Sequence, residues 1–427
     1  MNTGRRKAGA AYMISQPMRT PFRTARPALT GLLLALACLL AACVAPTPKA
    51  PAPPVAPAPP AAPVPSPAPA AAAKPGDYLR RASFADVSGW MEDDVREAWP
   101  ALLASCSVLN GKAGWQEVCA NAAAVDASDM AVVRRFIESN FIPHQLRNLD
   151  GNSTGTVTGY YEPLLRGSRT RGGPFQTALH RPPADLLNVD LGSLYPELKN
   201  LRLRGRLAGN RVVPYYSRAE LKRENRLAGA ELLWVDSQVE AFFLQIQGSG
   251  RVWLEDTREM VRVAYADQNG HAYRSIGRYL IDRGELTLEQ ASMQGIKAWV
   301  DAHPSRAQEL LNANPSYVFF KEEKIVDAGV GPKGALGVPL TARRSIAVDP
   351  QFIPLGAPVF LSTTQPNSQI PLRRLMLAQD TGGAIRNPVR ADFFWGFGPE
   401  AGESAGKMKQ PGEMWVLLPL PLALSAP

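Results

Sequence analysis

The chain has 427 residues, with 47 lysines and arginines against 38 acids and a formal net charge of +9 at pH 7. Six of those cations lie in the first 42 residues, which hold no acid, so the remainder carries 41 cations against 38 acids, or about +3. No basic block interleaved with aromatic residues remains, which argues against a nucleic-acid-binding protein. About 350 residues follow the N-terminal segments, enough for two domains.

Residues 1–42 are predicted to be an export signal. Their apolar run, Ala28–Ala42, is too short and wrongly flanked for a membrane-spanning helix and is typical of a signal peptide. The run ends in Leu40-Ala41-Ala42-Cys43, which resembles a bacterial lipobox. We therefore expect Cys43 to be lipidated, the alternative being an ordinary signal peptide. Val44 in place of an aspartate indicates the periplasmic face of the outer membrane.

Residues 43–75 are predicted to be a linker. Val44–Pro75 holds thirteen prolines among alanines and almost no charge. Such a sequence cannot bury a core and favours extended polyproline II geometry, which at ~3.1 Å per residue reaches up to about 100 Å. A tether of this length suits an enzyme that works at a distance from its membrane anchor, and a featureless spacer is compatible with the same role.

Residues 86–147 are predicted to be helical. Apolar residues between 130 and 137 follow helical spacing behind Ser128-Asp129, a suitable cap, and a second apolar stripe runs from Val95 to Leu103. These stripes are typical of core faces and not of functional sites.

Cys106 and Cys119 remain after the signal and the lipid site account for Cys38 and Cys43. In an oxidising compartment they are expected to form a disulfide, which for a loop of this size stabilises the fold by ~3 kcal/mol in the chain-entropy model. The four histidines show no metal-ligand spacing, so we expect no metal and no cofactor.

From Thr154 onward the pattern becomes β-rich, with Gly, Asn and Asp at the turns, as in barrels. A helix is predicted over Leu288–Ala302, and strands return over Ser316–Leu418. The other predicted strands are 156–161, 211–216, 232–247 and 252–265.

The segment Leu377–Gly398 is the strongest candidate for chemistry. An apolar strand carries Asp380 to a glycine pair, and the chain returns past Asn387-Pro388 to Asp392 and three aromatic residues. This pattern predicts a strand, a loop and a strand that bring the two acids together. An acid where water is scarce has a raised pKa, as a general acid requires. The alternative is that Asp380 caps a turn and Asp392 is a surface acid.

The same segment resembles the three-aspartate ("3D") motif of double-psi β-barrel enzymes that act on bacterial cell wall. Further motifs, in the same order and over roughly 85–418, resemble the membrane-bound lytic murein transglycosylase A family. They are Gly159-Tyr160-Tyr161-Glu162-Pro163, Gln245-Ile246-Gln247-Gly248-Ser249-Gly250, Asn269–Gly277, Pro315–Phe320 and Gly398–Gly402.

The resemblance implies a mainly β fold with N-terminal helices. A double-psi β-barrel catalytic domain would be built from residues 76–172 and 312–427. A second, barrel-like β-domain would be inserted over 173–311, with the glycan held in the groove between them. The implied partners are peptidoglycan strands, the outer membrane and a complex that synthesises or hydrolyses the wall.

The resemblance also implies a lyase, an exotransglycosylase that cleaves between MurNAc and GlcNAc and leaves 1,6-anhydroMurNAc ends. Asp392 matches the acid/base, and Asp380 matches a supporting acid. The residues alone leave endo and exo cleavage open. They also leave open a glycan hydrolase with two carboxylates and a glycan-binding lipoprotein without turnover.

Several residues are candidates for glycan contacts. Aromatic faces stack on sugar rings, although aromatic residues on strands are more often core. Amides before a glycine turn bind hydroxyls, or form a polar barrel rim. An arginine binds a carboxylate, or forms a structural salt bridge. The candidates are Tyr160, Tyr161, Gln245, Gln247, Gly248, Ser249, His271, Tyr273, Arg274 and Ser275, with Phe393, Phe394 and Trp395 as further aromatic residues.

Overall fold

The structure is a computed structural model that describes residues 78–198, 201–325 and 327–423. The predicted signal, the lipidation site at Cys43 and the linker lie outside the described residues. The described part is mainly β with helices, as predicted.

The strands and α-helices follow one another along the chain in this order. The strands are β1 (Leu79–Arg81), β2 (Phe141–Leu146), β3 (Gly155–Glu162), β4 (Leu164–Ser168), β5 (Thr177–His180), β6 (Leu187–Asn188), β7 (Arg204–Ala208), β8 (Arg211–Pro214), β9 (Glu231–Val235), β10 (Ser249–Leu254), β11 (Glu259–Gln268), β12 (Val318–Lys324), β13 (Ser345–Ala347), β14 (Pro358–Thr364), β15 (Pro371–Asp380), β16 (Arg390–Phe397) and β17 (Lys409–Pro419). The helices are α1 (Trp99–Leu109), α2 (Gln116–Ala122), α3 (Met130–Asn140), α4 (Arg218–Arg223), α5 (Gln238–Gln247), α6 (Ile276–Asp282), α7 (Met293–Ala302), α8 (Ala307–Asn312), α9 (Pro399–Lys407) and α10 (Leu420–Ala423).

The first sheet has eight strands in the order β1-β2-β17-β14-β15-β13-β16-β3. Strand β17 pairs with β3 as well, so the pairing of six strands returns to its start. Two of these pairs, β13 with β15 and β16 with β3, are parallel. The inner faces of these strands and the N-terminal helices share one apolar core, which includes Trp90, Leu102, Val133, Phe360 and Phe393.

The second sheet has six strands in the order β12-β11-β10-β4-β9-β5. Its core is formed by aliphatic residues of the strands together with Ala241 and Leu244 of α5. Strands β4 and β12 belong to this sheet, so it takes up a longer stretch of chain than the predicted insert 173–311. Strands β6, β7 and β8 form a third, small sheet.

The N-terminal helices are held by local and long-range contacts. Asp129 caps α3 and accepts hydrogen bonds from the backbone N–H groups of Ala131 and Val132, as its position predicts. Cys106 of α1 and Cys119 of α2 form the predicted disulfide, with a Cα–Cα distance of 5.2 Å.

Two predicted elements are wrong. Residues 141–146 form β2 instead of continuing the helical region, and Pro143 within them cannot donate the backbone hydrogen bond that a helix interior needs. The predicted strand 232–247 ends at Val235, and α5 follows it. Ser237 caps α5 and Gly248 ends it in the left-handed conformation, while an apolar run between them is buried on most sides. Periodicity alone does not separate such a helix from a buried strand.

Candidate active site

Asp380 and Asp392 lie on the same face of the first sheet, on either side of β13. Ala347 of β13 is the register partner of both, through β15 on one side and β16 on the other. Cross-strand neighbours point to the same face. Two inter-strand spacings separate the Cα atoms of the two acids by about 9–10 Å.

Among the described residues, Asp392 has one hydrogen-bonding partner, and that partner is neutral. The Thr158 hydroxyl, opposite it on β3, donates to Asp392 Oδ1 at 2.6 Å. Arg390 Nη2 donates to the same hydroxyl oxygen at 2.9 Å, which fixes its orientation. Burial raises the pKa of Asp392, and the charge of Asp380 adds to the rise; the Thr158 hydrogen bond and Arg390 oppose it. The carboxyl group is therefore shifted toward the protonated form.

Asp380 is more fully bonded. Its Oδ1 accepts from the backbone N–H groups of Thr381 and Ala335, both at 2.9 Å, and its Oδ2 accepts from the Tyr160 hydroxyl at 3.0 Å. Burial raises the pKa of Asp380, and the three hydrogen bonds oppose that rise. The Asp380 carboxyl is fixed in place by three donors, whereas the Asp392 carboxyl has one.

The floor beneath the two acids is apolar. Tyr160, Leu340, Ala347, Ile385 and Phe394 form one buried cluster, and the Tyr160 and Phe394 ring centroids are 5.2 Å apart. Burial raises the pKa of the Tyr160 phenol well above its ordinary value, so this hydroxyl stays protonated and donates to Asp380. This cluster excludes water from one side of both carboxyl groups, which is the physical cause of their raised pKa values.

A residue between β6 and β7 of the small sheet contacts the glycine-rich loop. Arg202 Nη2 donates to the Thr381 hydroxyl at 3.2 Å, and its guanidinium group lies 5.7 Å from the centroid of the Tyr265 ring. The Arg202 charge slightly opposes the rise of the Asp380 pKa. The glycine-rich loop that follows Asp380 is therefore in contact with the segment between β6 and β7.

Glu162, at the end of β3, is a third carboxylate near this junction. It is fully buried and forms ion pairs with Arg251 at 2.9 Å and with Arg262 at 2.5 Å. Arg262 also donates to the carbonyl of Val330, and the Phe397 ring lies 3.8 Å from the Arg251 guanidinium. This cluster joins the second sheet to β3, β16 and the loop after β12.

The five aromatic candidates are core residues, which was the alternative left open for each. Tyr160, Tyr161, Phe393, Phe394 and Trp395 are all less than a tenth exposed. Tyr160 supports Asp380, as described above, and its ring is not open to solvent. Tyr161 points to the other face of β3, where its hydroxyl lies 3.9 Å from the Met293 sulfur.

The Gln245–Gly250 motif does not form the alternating strand that was predicted. Gln245 is buried on α5, and its Oε1 accepts from Arg218 Nη2 at 2.6 Å. Gln247 is half-buried and accepts from the Tyr161 backbone N–H at 3.0 Å. Gly248 is the C-terminal cap of α5, and Ser249 begins β10.

The His271–Ser275 loop is open at its tip and fixed at both ends. His271 Nε2 lies 2.7 Å from the Tyr215 carbonyl oxygen, and Ser275 caps α6. The Arg274 backbone N–H donates to Asn314, while the Arg274 and Tyr273 side chains are exposed. No hydrogen bond or ion pair joins this loop to Asp380 or Asp392.

Within the part of the chain that the structure describes, no group of three or more His, Cys, Asp or Glu side chains is placed to hold a metal ion. Over the same residues, no helix combines the length and apolar character needed to cross a membrane.

Sequence reasoning missed four residues that contact the acids or their loop. Thr158 and Arg390 lie two positions before Tyr160 and Asp392, on the same strand faces, so the period of two could have found them. The Ala335 N–H and the Arg202 side chain come from distant loops, and no local pattern indicates them.

Two family models match the chain. The MltA specific insert domain matches residues 156–321, and the 3D domain matches residues 344–418, which include both acids. The chain is 37% identical over 284 residues to membrane-bound lytic murein transglycosylase A of Escherichia coli strain K12, covering 65% of this chain and 69% of that protein. The chain belongs to the membrane-bound lytic murein transglycosylase A family.

Solved structures related to the family agree with this assignment. The lytic transglycosylase LtgG of Burkholderia pseudomallei is 49% identical, with a TM-score of 0.55 over 81% of this chain and 98% of that one. The Escherichia coli MltA structure with bound chitohexaose is 30% identical, with a TM-score of 0.59 over 75% of this chain and 89% of that one.

Proposed function

We propose that this protein is a peptidoglycan lytic transglycosylase with Asp392 as its single acid/base. It cleaves the β-1,4 bond between MurNAc and GlcNAc and leaves 1,6-anhydroMurNAc ends. Family membership supports the activity, and the complex of the Escherichia coli relative with chitohexaose supports a glycan as the ligand.

The observation that carries the role of Asp392 is its environment. A carboxyl group with a raised pKa and a single neutral hydrogen-bond donor among the described residues is suited both to give up a proton and to take one back. Asp380, with three donors, is better suited to remain in one state and to hold the glycine-rich loop.

The reaction balances without water. The Asp392 carboxyl protonates the oxygen between the two sugars, the bond from that oxygen to C1 of MurNAc breaks, and positive charge develops at C1. The C6 hydroxyl of the same sugar then attacks C1, and its proton passes to the Asp392 carboxylate. Because the nucleophile belongs to the substrate, the step gains from intramolecularity and restores the acid in one cycle.

Mass spectrometry of purified, peptide-free glycan strands after digestion tests this proposal. We expect new ends lighter by one water than reducing ends. Reducing ends in their place would overturn the transglycosylase proposal and leave Asp392 as the acid of a hydrolase.

A hydrolase is the second candidate because the two acids share a face of the sheet. Glycosidases use a pair of carboxylates, one as the acid and the other as base or nucleophile, so the pair itself supports this alternative. Digestion in ¹⁸O-labelled water separates the two reactions, since hydrolysis places the label in the new end and anhydro formation does not.

We also propose that the ring of six paired strands is a double-psi β-barrel, with the predicted insert 173–311 inside a second β-domain that the second sheet delimits as 164–324. The groove between the two domains would hold the glycan. Strand β17 pairing with both β14 and β3 supports the ring. Gln247, Gly248, Ser249, Tyr273 and Arg274 are at least partly exposed and remain our proposed glycan contacts. We propose structural roles for Gln245, His271 and Ser275.

For location, we propose a lipid on Cys43 that holds the enzyme on the periplasmic face of the outer membrane, with the linker reaching toward the wall and its enzyme complexes. The word "membrane-bound" in the relative's name supports membrane association. In fractionated cells, Cys43→Ala should leave the membrane fraction and keep its activity on isolated wall. Retention of this variant in outer membranes would contradict the proposal.

A further inference from the structure

Arg218 is a buried cation without an anionic partner. Its side chain is only 7% exposed, and no carboxylate of the described residues forms an ion pair with it. A buried charge is costly unless it is paired, so buried arginines normally contact a carboxylate. The two arginines that pair with Glu162, and Arg344 with Asp93, follow that rule. Among the described residues, Arg134 and Arg218 do not follow it. Arg134 donates to the backbone carbonyls of Trp90 and Asp93, and of the two only Arg218 lines a cavity.

The guanidinium group of Arg218 is fixed by neutral acceptors. Its Nε donates to the Asn314 carbonyl at 3.1 Å, and its Nη2 donates to Gln245 Oε1 and to the Ser316 carbonyl, each at 2.6 Å. The rings of Phe242 and Tyr317 lie 4.7 and 5.0 Å from it. Within the described residues Nη1 makes no hydrogen bond, so its two N–H groups are left for a ligand.

A cavity of about 330 Å³ lies against Arg218, between β5, β9, α4 and α5. Its size is at the lower end of small-molecule sites, which suits a short peptide or part of one. Side-chain amides of Asn225, Gln238 and Gln308 line it, and so do the rings of Trp234 and Tyr317. Amides that both donate and accept suit peptide groups, and the rings suit their apolar parts.

The cavity is positively charged. Besides Arg218, its lining includes the exposed cations Arg171 and Lys222 against one acid, Glu231. Neither Arg171 nor Lys222 forms an ion pair with a described acid. Burial lowers the pKa of His180 to about 4, so this histidine is neutral at neutral pH and adds no charge. Three cations against one carboxylate favour an anionic ligand.

We propose that this cavity binds the carboxylate of a short acidic peptide, with Arg218 Nη1 as the anchor and Arg171 and Lys222 at the entrance. No residue that lines the cavity comes from β13, β15 or β16, so it is a site apart from the two acids. The proposal rests on the proposed function, since peptidoglycan carries acidic stem peptides. It adds recognition of those peptides to cleavage of the glycan.

Calorimetric titration of the purified protein with an isolated wall tetrapeptide tests the proposal. We expect saturable binding, and binding at least about tenfold weaker for the same peptide with its carboxylates amidated, because a charged hydrogen bond is lost. An L-peptide of equal length and charge separates the wall peptide from other peptide sources, and inorganic phosphate separates a carboxylate site from a general anion site. Equal binding of the acid and amide forms, or of phosphate and peptide, would overturn the proposal.

The variants are chosen so that folding does not decide the outcome. Replacing both Arg171 and Lys222 by Ala changes exposed side chains and should weaken binding about tenfold or more. Arg218→Lys keeps the charge but loses the guanidinium fork, and should weaken binding while the circular dichroism spectrum is unchanged. Arg278→Ala, an exposed cation on α6, is the matched control and should bind normally. Normal binding by the first two variants would contradict the proposal.

The peptide contains no glycosidic bond, so its binding does not depend on catalysis. If anhydro ends form but the peptide does not bind, the cavity proposal alone is wrong. If the peptide binds but anhydro ends do not form, the proposed activity alone is wrong.

Discussion

Glu162 and Asp392 are carboxylates on neighbouring strands, and their surroundings differ. Glu162, at the end of β3, is fully buried and forms ion pairs with two arginines. Asp392, on β16 beside it, contacts one hydroxyl, and the nearest cation reaches that hydroxyl and not the carboxylate. Burial is common to both groups, so burial by itself does not make a catalytic acid.

The difference lies in the partners of each carboxylate. Two guanidinium groups form ion pairs with Glu162 and hold it in place. Burial over an apolar floor raises the pKa of Asp392, and its hydrogen bond from the Thr158 hydroxyl opposes that rise. The first carboxylate therefore holds two regions of the chain together, and the second is available for chemistry.

The largest expected effect is on turnover at Asp392. Asp392→Asn keeps the shape and hydrogen-bonding ability of the side chain but cannot transfer a proton. We expect kcat for release of anhydro ends to fall by about 10⁴-fold, the upper end for general acid–base catalysis, because no second acid replaces it. Glycan binding, measured by titration with a chitooligosaccharide, should survive. A variant with near-normal turnover would remove Asp392 from the role.

Glu162→Gln should lower the stability of the protein and leave its catalytic activity nearly unchanged. Two buried arginines would lose their anionic partner, and the free energy of unfolding should fall by about 3–5 kcal/mol in urea titration. Activity per folded molecule should stay within a few-fold of normal. Asp282→Asn, which breaks an exposed ion pair on α6, is the control and should change stability little. Loss of turnover with unchanged stability would contradict the structural role of Glu162 and indicate a catalytic one.

Asp380→Asn should have an intermediate effect. The amide keeps one acceptor oxygen but cannot accept from both Ala335 and Tyr160 as the carboxylate does. We expect kcat to fall by about 10- to 100-fold, in line with the loss of one hydrogen bond to a charged group. An inactive Asp380→Asn beside an active Asp392→Asn would exchange the two roles.

Thr158→Val should give the smallest effect, a change in pH dependence. The hydroxyl donates to the charged form of Asp392 and so holds its pKa down; without it the pKa rises further. The alkaline limb of kcat/KM, where the acid loses its proton, should move to higher pH. Activity at the optimum should stay within about tenfold of normal. Thr156→Val, an exposed position on the same strand, is the control and should leave the profile unchanged.

The same pKa shift also acts on stability. When a carboxyl group has a higher pKa in the folded protein than in the unfolded chain, the free energy of unfolding decreases as the pH rises between these two pKa values. As the pH is raised from acid to neutral, the Tm of Asp392→Asn should therefore fall less than the Tm of the native protein.

The sequence by itself determined much of this protein. The disulfide between Cys106 and Cys119 and the α3 cap follow from local spacing, which depends on neighbouring residues. The leader and the linker, predicted from composition, stay predictions. The strand–loop–strand around Asp380 and Asp392 also follows from the local pattern, and the structure has it as β15, the glycine-rich loop and β16. Thr158 and Arg390 lay within reach of the same reasoning, two positions along each strand.

Tertiary structure decided the rest. Ala347 separates the two acids, Ala335 fixes Asp380, and Arg218 lacks an anion because strands and loops distant in sequence meet there. A strand was predicted where helix α5 forms. The apolar residues of α5 are buried on most sides, so their spacing in the sequence shows no helical period. The pKa of a side chain, and whether it has an ion-pair partner, depend on all the groups that pack around it. Only the assembled fold brings those groups together.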